Sequence, residues 1–156
     1  MPGAGSNGMA VSDLVGPEQV VVGLRVADKA QLLTELSRRA AVALSLDQGT
    51  LLRALQAREQ LGSTGLGRGF ALPHARLAQL PRIFAMVVRL ARPIDYAAVD
   101  DKPVDLVVLL LTPESAASQH LATLAALSRP FRDEAFVQQV RKAPDAAALH
   151  RVLAGG

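Results

Sequence analysis

The stretch REQLGSTGLGRGFALPHARL, residues 58–77, gathers glycines, hydroxyls, arginines and one histidine into twenty positions. Each residue type has a use in handling an anion. Glycines at 62, 65, 67 and 69 let backbone N–H groups converge as a nest for anionic oxygens, and Ser63 and Thr64 add short hydroxyl donors. Arg58, Arg68 and Arg76 offer planar forks that match phosphate. His74 follows Pro73, which fixes its own φ and holds Leu72 extended, so the imidazole is presented from a stiff backbone. A neutral imidazole has one free lone pair and can attack phosphorus. The plainer reading is a strand or turn histidine that satisfies a nearby carbonyl, and residue types alone leave both open. Spacing argues against a nucleotide loop: no Lys-Ser/Thr pair follows the glycines, and no G-x-G-x-x-G opens a long helix.

Charge is concentrated around this segment. Residues 50–94 carry seven arginines (Arg53, Arg58, Arg68, Arg76, Arg82, Arg89 and Arg92) against one acid, Glu59. That is a local +6 in a chain whose net charge is +3, so the rest sums to −3. A local positive field suits an anionic ligand or an acidic partner surface. Nucleic acid fits poorly: four Phe and one Tyr give little stacking surface, and no basic tract or zinc-finger spacing is present. The chain has no Cys, which excludes disulfides, thiolate metal sites and thiol nucleophiles. Covalent chemistry must therefore use another side chain.

The elements that position these residues follow from periodicity. Hydrophobic residues make up 50% of the 156-residue chain but aromatics only 3%, so one aliphatic core built from Ala, Leu and Val is expected. Residues 19–25 are rich in β-branched side chains and precede Asp28, after which apolar residues recur at 32, 33, 36, 40 and 44: a strand, then an amphipathic helix. Asp47 caps a second helix, and Gly62 falls where a C′ residue needs positive φ. The glycine stretch 62–69 reads as a shaped loop, unsuited to helix or strand. Residues 70–72, 83–90 and 104–111 read as strands, and the near-continuous hydrophobicity of the last two implies burial on both faces. A helix from Ser118 carries Leu121, Leu124 and Leu127 on one face, and two shorter helices start at Asp133 and Asp145. The expected fold is α/β, a single-domain sandwich with a mixed, mainly parallel sheet flanked by helices. The opening MPGAGSNGMA lacks the basic start and apolar stretch of a secretory signal and reads as a disordered tail over residues 1–10. The longest apolar run, residues 106–111, is far short of the roughly 20 residues that span a bilayer, so a soluble protein without membrane insertion is expected.

Residues 58–75 resemble the active-site signature of the enzyme IIA proteins of the fructose and mannitol family of the bacterial phosphotransferase system, including the nitrogen-related IIA regulators. That pattern runs roughly R-E-x-x-G-S-T-G-I-G-x-G-x-A-I-P-H-G. Arg58, Glu59, Gly62, Ser63, Thr64, Gly65, Gly67, Gly69, Ala71, Pro73 and His74 match it. The likeness continues through PEQVVVGL from Pro17, DDKPVDLVVLLL from Asp100, and Gln119 to Leu121, so it covers nearly the whole chain. It implies a type 2 enzyme IIA domain over residues 11–156. One departure falls beside the histidine: position 75 is Ala where many members have Gly, so the backbone there should avoid positive φ or accept some strain.

By this resemblance His74 is the phosphoryl acceptor, His120 the second active-site histidine, and Arg58 the cation beside the phosphoryl group. The sequence is compatible with each role. His120 lies in the first turn of a helix, where the macrodipole opposes imidazolium. Arg58 is seven residues from Leu51 and three from Leu55, on their apolar face. A solvent-facing first-turn histidine and a last-turn cation complementing the dipole are the plainer readings. Arg76, two positions from His74 on an extended backbone, projects to the same side and could read the phosphoryl group or an acidic partner. The glycines and hydroxyls at 62–65, 67 and 69 are expected to form the phosphate loop.

The implied reaction moves a phosphoryl group from a phosphohistidine on an HPr-like carrier to Nε2 of His74, with Nδ1–H held by a backbone acceptor. No cofactor or metal is implied. Three functions follow: a cytoplasmic nitrogen-related regulator of unidentified targets, a sugar-transport subunit donating to a separate IIB protein, or a non-catalytic binding module of the same fold. The first is favoured, because a short chain without a fused transporter resembles those regulators.

Overall fold

The computed structural model describes residues 10–155; residues 1–9 of the expected tail lie outside the described residues. A short helix α1 (Val11–Leu14) and a 3₁₀ turn (Pro17–Gln19) lead into strand β1 (Val20–Leu24). Helices α2 (Lys29–Leu44) and α3 (Gln48–Gln60) follow and pack together. Their start signals act as expected, since Asp28 accepts from Gln31 N at 2.8 Å and Asp47 accepts from Thr50 N at 2.9 Å. Helix α3 ends at Leu61, and Gly62 takes φ +147°.

The sheet has six strands: β1, β2 (Gly65–Gly67), β3 (Phe70–Ala71), β4 (His74–Leu77), β5 (Phe84–Ile94) and β6 (Val104–Pro113). Along the sheet the order is β1-β5-β6-β3-β2, with β4 also paired to β6. The pairs β1/β5, β3/β6 and β4/β6 are parallel, whereas β5/β6 and β2/β3 are antiparallel. The sheet is therefore mixed, and its longest ladder, β5/β6, is antiparallel. Strands β3 and β4 run in succession along the same side of β6, interrupted at Leu72 and Pro73, and the register sets His74 opposite Leu110 and Arg76 opposite Thr112.

Both faces of the sheet are covered, as the apolar runs required. Val107, Leu109 and Leu111 join Leu32, Leu36, Leu51 and Leu55 on the α2/α3 side. Leu106, Val108 and Leu110 join Leu127, Phe131, Val140 and Leu149 on the other, beneath α4 (Ala117–Ser128), α5 (Glu134–Lys142) and α6 (Ala146–Leu153). Among the described residues no helix is long and apolar enough to cross a membrane.

Two readings of local structure change. The glycine stretch is not all loop: residues 65–67 form β2, joined to β3 by a turn in which Arg68 and Gly69 have φ +59° and +81°. Two consecutive positive φ values give the tight hairpin whose twist matches its strands. Helix α4 is also rotated from its apparent apolar face. Its buried side is His120, Thr123 and Leu127, while Leu121 is 69% exposed.

Candidate active site

Three elements converge at the sheet edge: the end of α3, the start of β4 and the first turn of α4. Ala75 and Leu77 of β4 enter the α2/α3 core, so the alternation of the strand turns His74 and Arg76 the other way. His74, Arg76, Arg58 and His120 line one open cleft of about 850 Å³ with Glu114. Apolar side chains complete the wall, among them Leu61, 85% exposed, and Leu121.

The ring of His74 is held at both nitrogens. Nδ1 lies 2.7 Å from Leu72 O, and a carbonyl can only accept, so Nδ1 carries the proton. Nε2 then holds the lone pair, which accepts from Arg58 Nε at 3.2 Å. Arg58 is steadied in turn by donating from Nη1 to Gly62 O at 2.8 Å. Ala75 is free of positive φ, so its replacement of glycine introduces no backbone strain. The His120 ring lies 5.4 Å from the His74 ring, tilted by 50°, and its Nδ1 is 2.6 Å from the hydroxyl of Thr112.

Both imidazoles are held below the ordinary value of 6.5. For His74, burial lowers it most; the Leu72 carbonyl pulls upward, the Arg58 charge pushes down and Glu59 pulls up. For His120, burial is again the main cause, with the His74 ring and Arg76 adding to it. Both rings are thus neutral near pH 7, the state a nucleophile or a single N–H donor requires.

The hydroxyls and hairpin glycines behave differently from the expected phosphate loop. Ser63 Oγ donates to Tyr96 O at 3.3 Å and accepts from Gly65 N at 3.0 Å. Thr64 donates its N–H at 3.0 Å and its hydroxyl to the carboxylate of Glu59. Gly65 has Ala98 where a Cβ would lie, Gly67 faces Asp100, and Gly69 faces Arg141 and Asp105. None of Ser63, Thr64, Gly65, Gly67 or Gly69 lines the His74 cleft. Their donors and their space are committed to building the hairpin. Gly62 alone keeps a place at the site, through its carbonyl on Arg58. Of the segment's basic residues, Arg68 lies on the hairpin, where its N–H donates to Asp100 at 2.9 Å. Arg89 serves the fold, donating to the carbonyls of Val140, Arg141 and Ala143 at the end of α5. His150, read as part of a surface helix, is half-buried, and its Nε2 donates to Val15 O at 3.0 Å.

Glu59 is the residue whose importance the motif did not convey. Its carboxylate pairs with Lys29 Nζ at 2.8 Å and accepts from Tyr96 Oη at 3.0 Å as well as from Thr64. Burial pushes it up, but the bonds from Lys29 and Thr64 outweigh this and hold it below the usual carboxylate value. Burial and the neighbouring Glu59 charge push the Tyr96 phenol far above its usual value, so it stays protonated as a donor. This knot fixes the chain beside Arg58. A signal existed in the sequence: Glu59 is four residues from Leu55 and eight from Leu51, an acid on an apolar stripe.

Comparison with known proteins gives a consistent answer. The family model described as "Phosphoenolpyruvate-dependent sugar phosphotransferase system, EIIA 2" matches residues 13–155. A nitrogen regulatory protein of Bradyrhizobium diazoefficiens is 42% identical over 146 residues, 94% of this chain and 95% of that one. A fructose-specific EIIA component of Haloferax volcanii is 34% identical over 108 residues, 69% of this chain and 70% of its own. The crystal structure of the nitrogen regulatory protein IIA-Ntr from Neisseria meningitidis superposes with a TM-score of 0.86 at 31% identity, covering 92% of this chain and 98% of that one.

Proposed function

The chain belongs to the EIIA 2 family of the phosphoenolpyruvate-dependent sugar phosphotransferase system, and from that premise we propose that it accepts a phosphoryl group on Nε2 of His74 from an HPr-like phosphohistidine protein. In this reading the phosphorylation state governs binding to target proteins in the cytoplasm. One observation carries the assignment: Nδ1 of His74 is spent on Leu72 O, so the only lone pair of the ring is on Nε2, at the cleft.

In the transfer the Nε2 lone pair forms the new N–P bond as the donor's N–P bond breaks, and the bonding pair returns to the donor ring. His74 keeps its Nδ1 proton on Leu72 O throughout. Arg58 moves from the lone pair to a phosphoryl oxygen, and Arg76 supplies a second cation for the phosphoryl group or for an acidic partner surface. Catalysis rests on in-line positioning and charge stabilisation. The exposed Leu61 and Leu121 supply apolar rim for a docked carrier.

The regulatory reading is supported by relatives named nitrogen regulatory protein that match over most of both chains. The fructose-specific relative supports sugar transport as the second reading. Intact mass and phosphohistidine mapping test the assignment after incubation with phosphoenolpyruvate and the general phosphotransferase proteins. One phosphoryl group on His74, lost in His74→Ala, is expected; an undiminished mass gain in that variant would reject it. Onward transfer to a purified IIB protein would select the transport reading.

A further inference from the structure

Two imidazoles face one cleft, and a phosphoryl group delivered there meets both. What distinguishes them is where each carries its proton. On His74 the carbonyl of Leu72 compels Nδ1–H. On His120 the partner of Nδ1 is the hydroxyl of Thr112, which can donate or accept, so the neighbours of that hydroxyl decide. Thr112 is fully buried, and His120 Nδ1 at 2.6 Å is the hydrogen-bond partner found for its Oγ among the described residues. If Nδ1 donated, the hydroxyl proton would be stranded in the interior without an acceptor, a costly arrangement that native structures avoid. With the hydroxyl donating, both groups are satisfied by one bond, and the ring proton of His120 resides on Nε2.

We propose that Thr112 is the positioning residue that decides which of the two histidines takes the phosphoryl group, by holding His120 as the Nε2–H tautomer. This rests on the phosphocarrier reading above and adds to it the origin of the choice. The register of the sheet places the device where it is needed: Leu110 lies opposite His74 on β4, and Thr112 is two residues further along the same face of β6. His120 then offers a hydrogen bond to a phosphoryl oxygen and retains its proton, while His74 alone offers a lone pair. The opposite tautomer of His120 would put two lone pairs in one cleft, without the donor and with a competing acceptor.

The experiment is a ¹⁵N-resolved spectrum of the ring nitrogens in the full chain, wild type, Thr112→Val and Thr112→Ser, joined to phosphorylation rates and phosphohistidine mapping. In the wild type His120 should show an unprotonated Nδ1 and a protonated Nε2, opposite to His74. Thr112→Val should mix the His120 tautomers and slow transfer to His74 about tenfold, the loss of one transition-state hydrogen bond; Thr112→Ser should restore both. A wild-type spectrum with Nδ1 of His120 protonated overturns the proposal even if the valine variant does not fold, and so does wild-type transfer by a folded Thr112→Val protein. Absence of phosphate on wild-type His74 would instead remove the phosphocarrier reading, and the ring spectra would still decide the tautomer.

Discussion

The His74 cleft takes Arg58, His74 and Arg76 from the same twenty residues that build the glycine hairpin, yet the polar groups of the two regions stand in opposite conditions. At the cleft, Nε2 of His74 is met by the guanidinium of Arg58, and Nε2 of His120 has no partner among the described residues. In the hairpin every hydroxyl and much of the backbone is spoken for by Glu59, Tyr96, Val99 or Asp100. One region keeps valences open, and the other consumes them to hold its shape. Dense polar residues in a sequence therefore announce an organised segment, but they do not say which groups are left to meet a ligand.

That contrast can be broken by substitutions that fall on one side of it. Arg58→Ala should slow phosphoryl transfer about a hundredfold, the usual cost of removing one donor from developing negative charge. The melting temperature should barely move, because the side chain reaches out of α3 toward the cleft; a matching loss of stability would reassign Arg58 to the scaffold. Gly65→Ala should do the reverse. A Cβ there would lie 2.7 Å from Ala98 Cβ and 2.8 Å from its Cα, so backbone must shift at a cost of about 1–3 kcal/mol in unfolding free energy. The folded fraction should still take up phosphate at the wild-type rate, and a selective loss of transfer would return the glycines to the site.

The smallest effect sharpens the comparison through pH. Both cleft imidazoles sit below 6.5 in the folded chain, mainly because of burial. As pH falls through about 6.5 the unfolded chain takes up protons that the folded rings refuse, so their contribution to stability, complete above that value, is lost on the acid side. The Glu59 knot, whose carboxylate is held below 4.5, keeps its contribution throughout this range and loses it only under stronger acid. Melting temperatures at pH 7.5 and 5.5 should therefore fall more in the wild type than in a His74→Gln, His120→Gln double variant. Equal slopes would show that the rings are not held neutral by the fold.

Much of the scaffold is legible in the sequence. The β-branched run before Asp28, the Asp caps and the continuous apolar strands fix local structure by short-range rules, and both faces of β6 are buried as its composition required. The meeting of Arg58, His74 and His120 is legible only through the family likeness, because the contacts span distant parts of the chain and periodicity is silent on them. Leu121 misled for a related reason: on α4 alone it extends the apolar stripe, but the helix turns His120 inward, and the leucine is left on the rim. The hairpin is hidden because glycine-rich composition weakens strand propensity, whereas a turn with two positive φ values, here at Arg68 and Gly69, favours glycine.

Arg58 also has a consequence for the resting protein. Its N–H sits over the one reactive electron pair of His74, so a neutral electrophile or a transition-metal ion meets a blocked ligand atom. Under the proposed function an incoming phosphoryl group would differ, because its negative oxygens would compete for the guanidinium. In the proposed transfer the lone pair is thus unmasked by the charge of the group it receives, and Arg58 would screen the ring as well as steady the phosphoryl group.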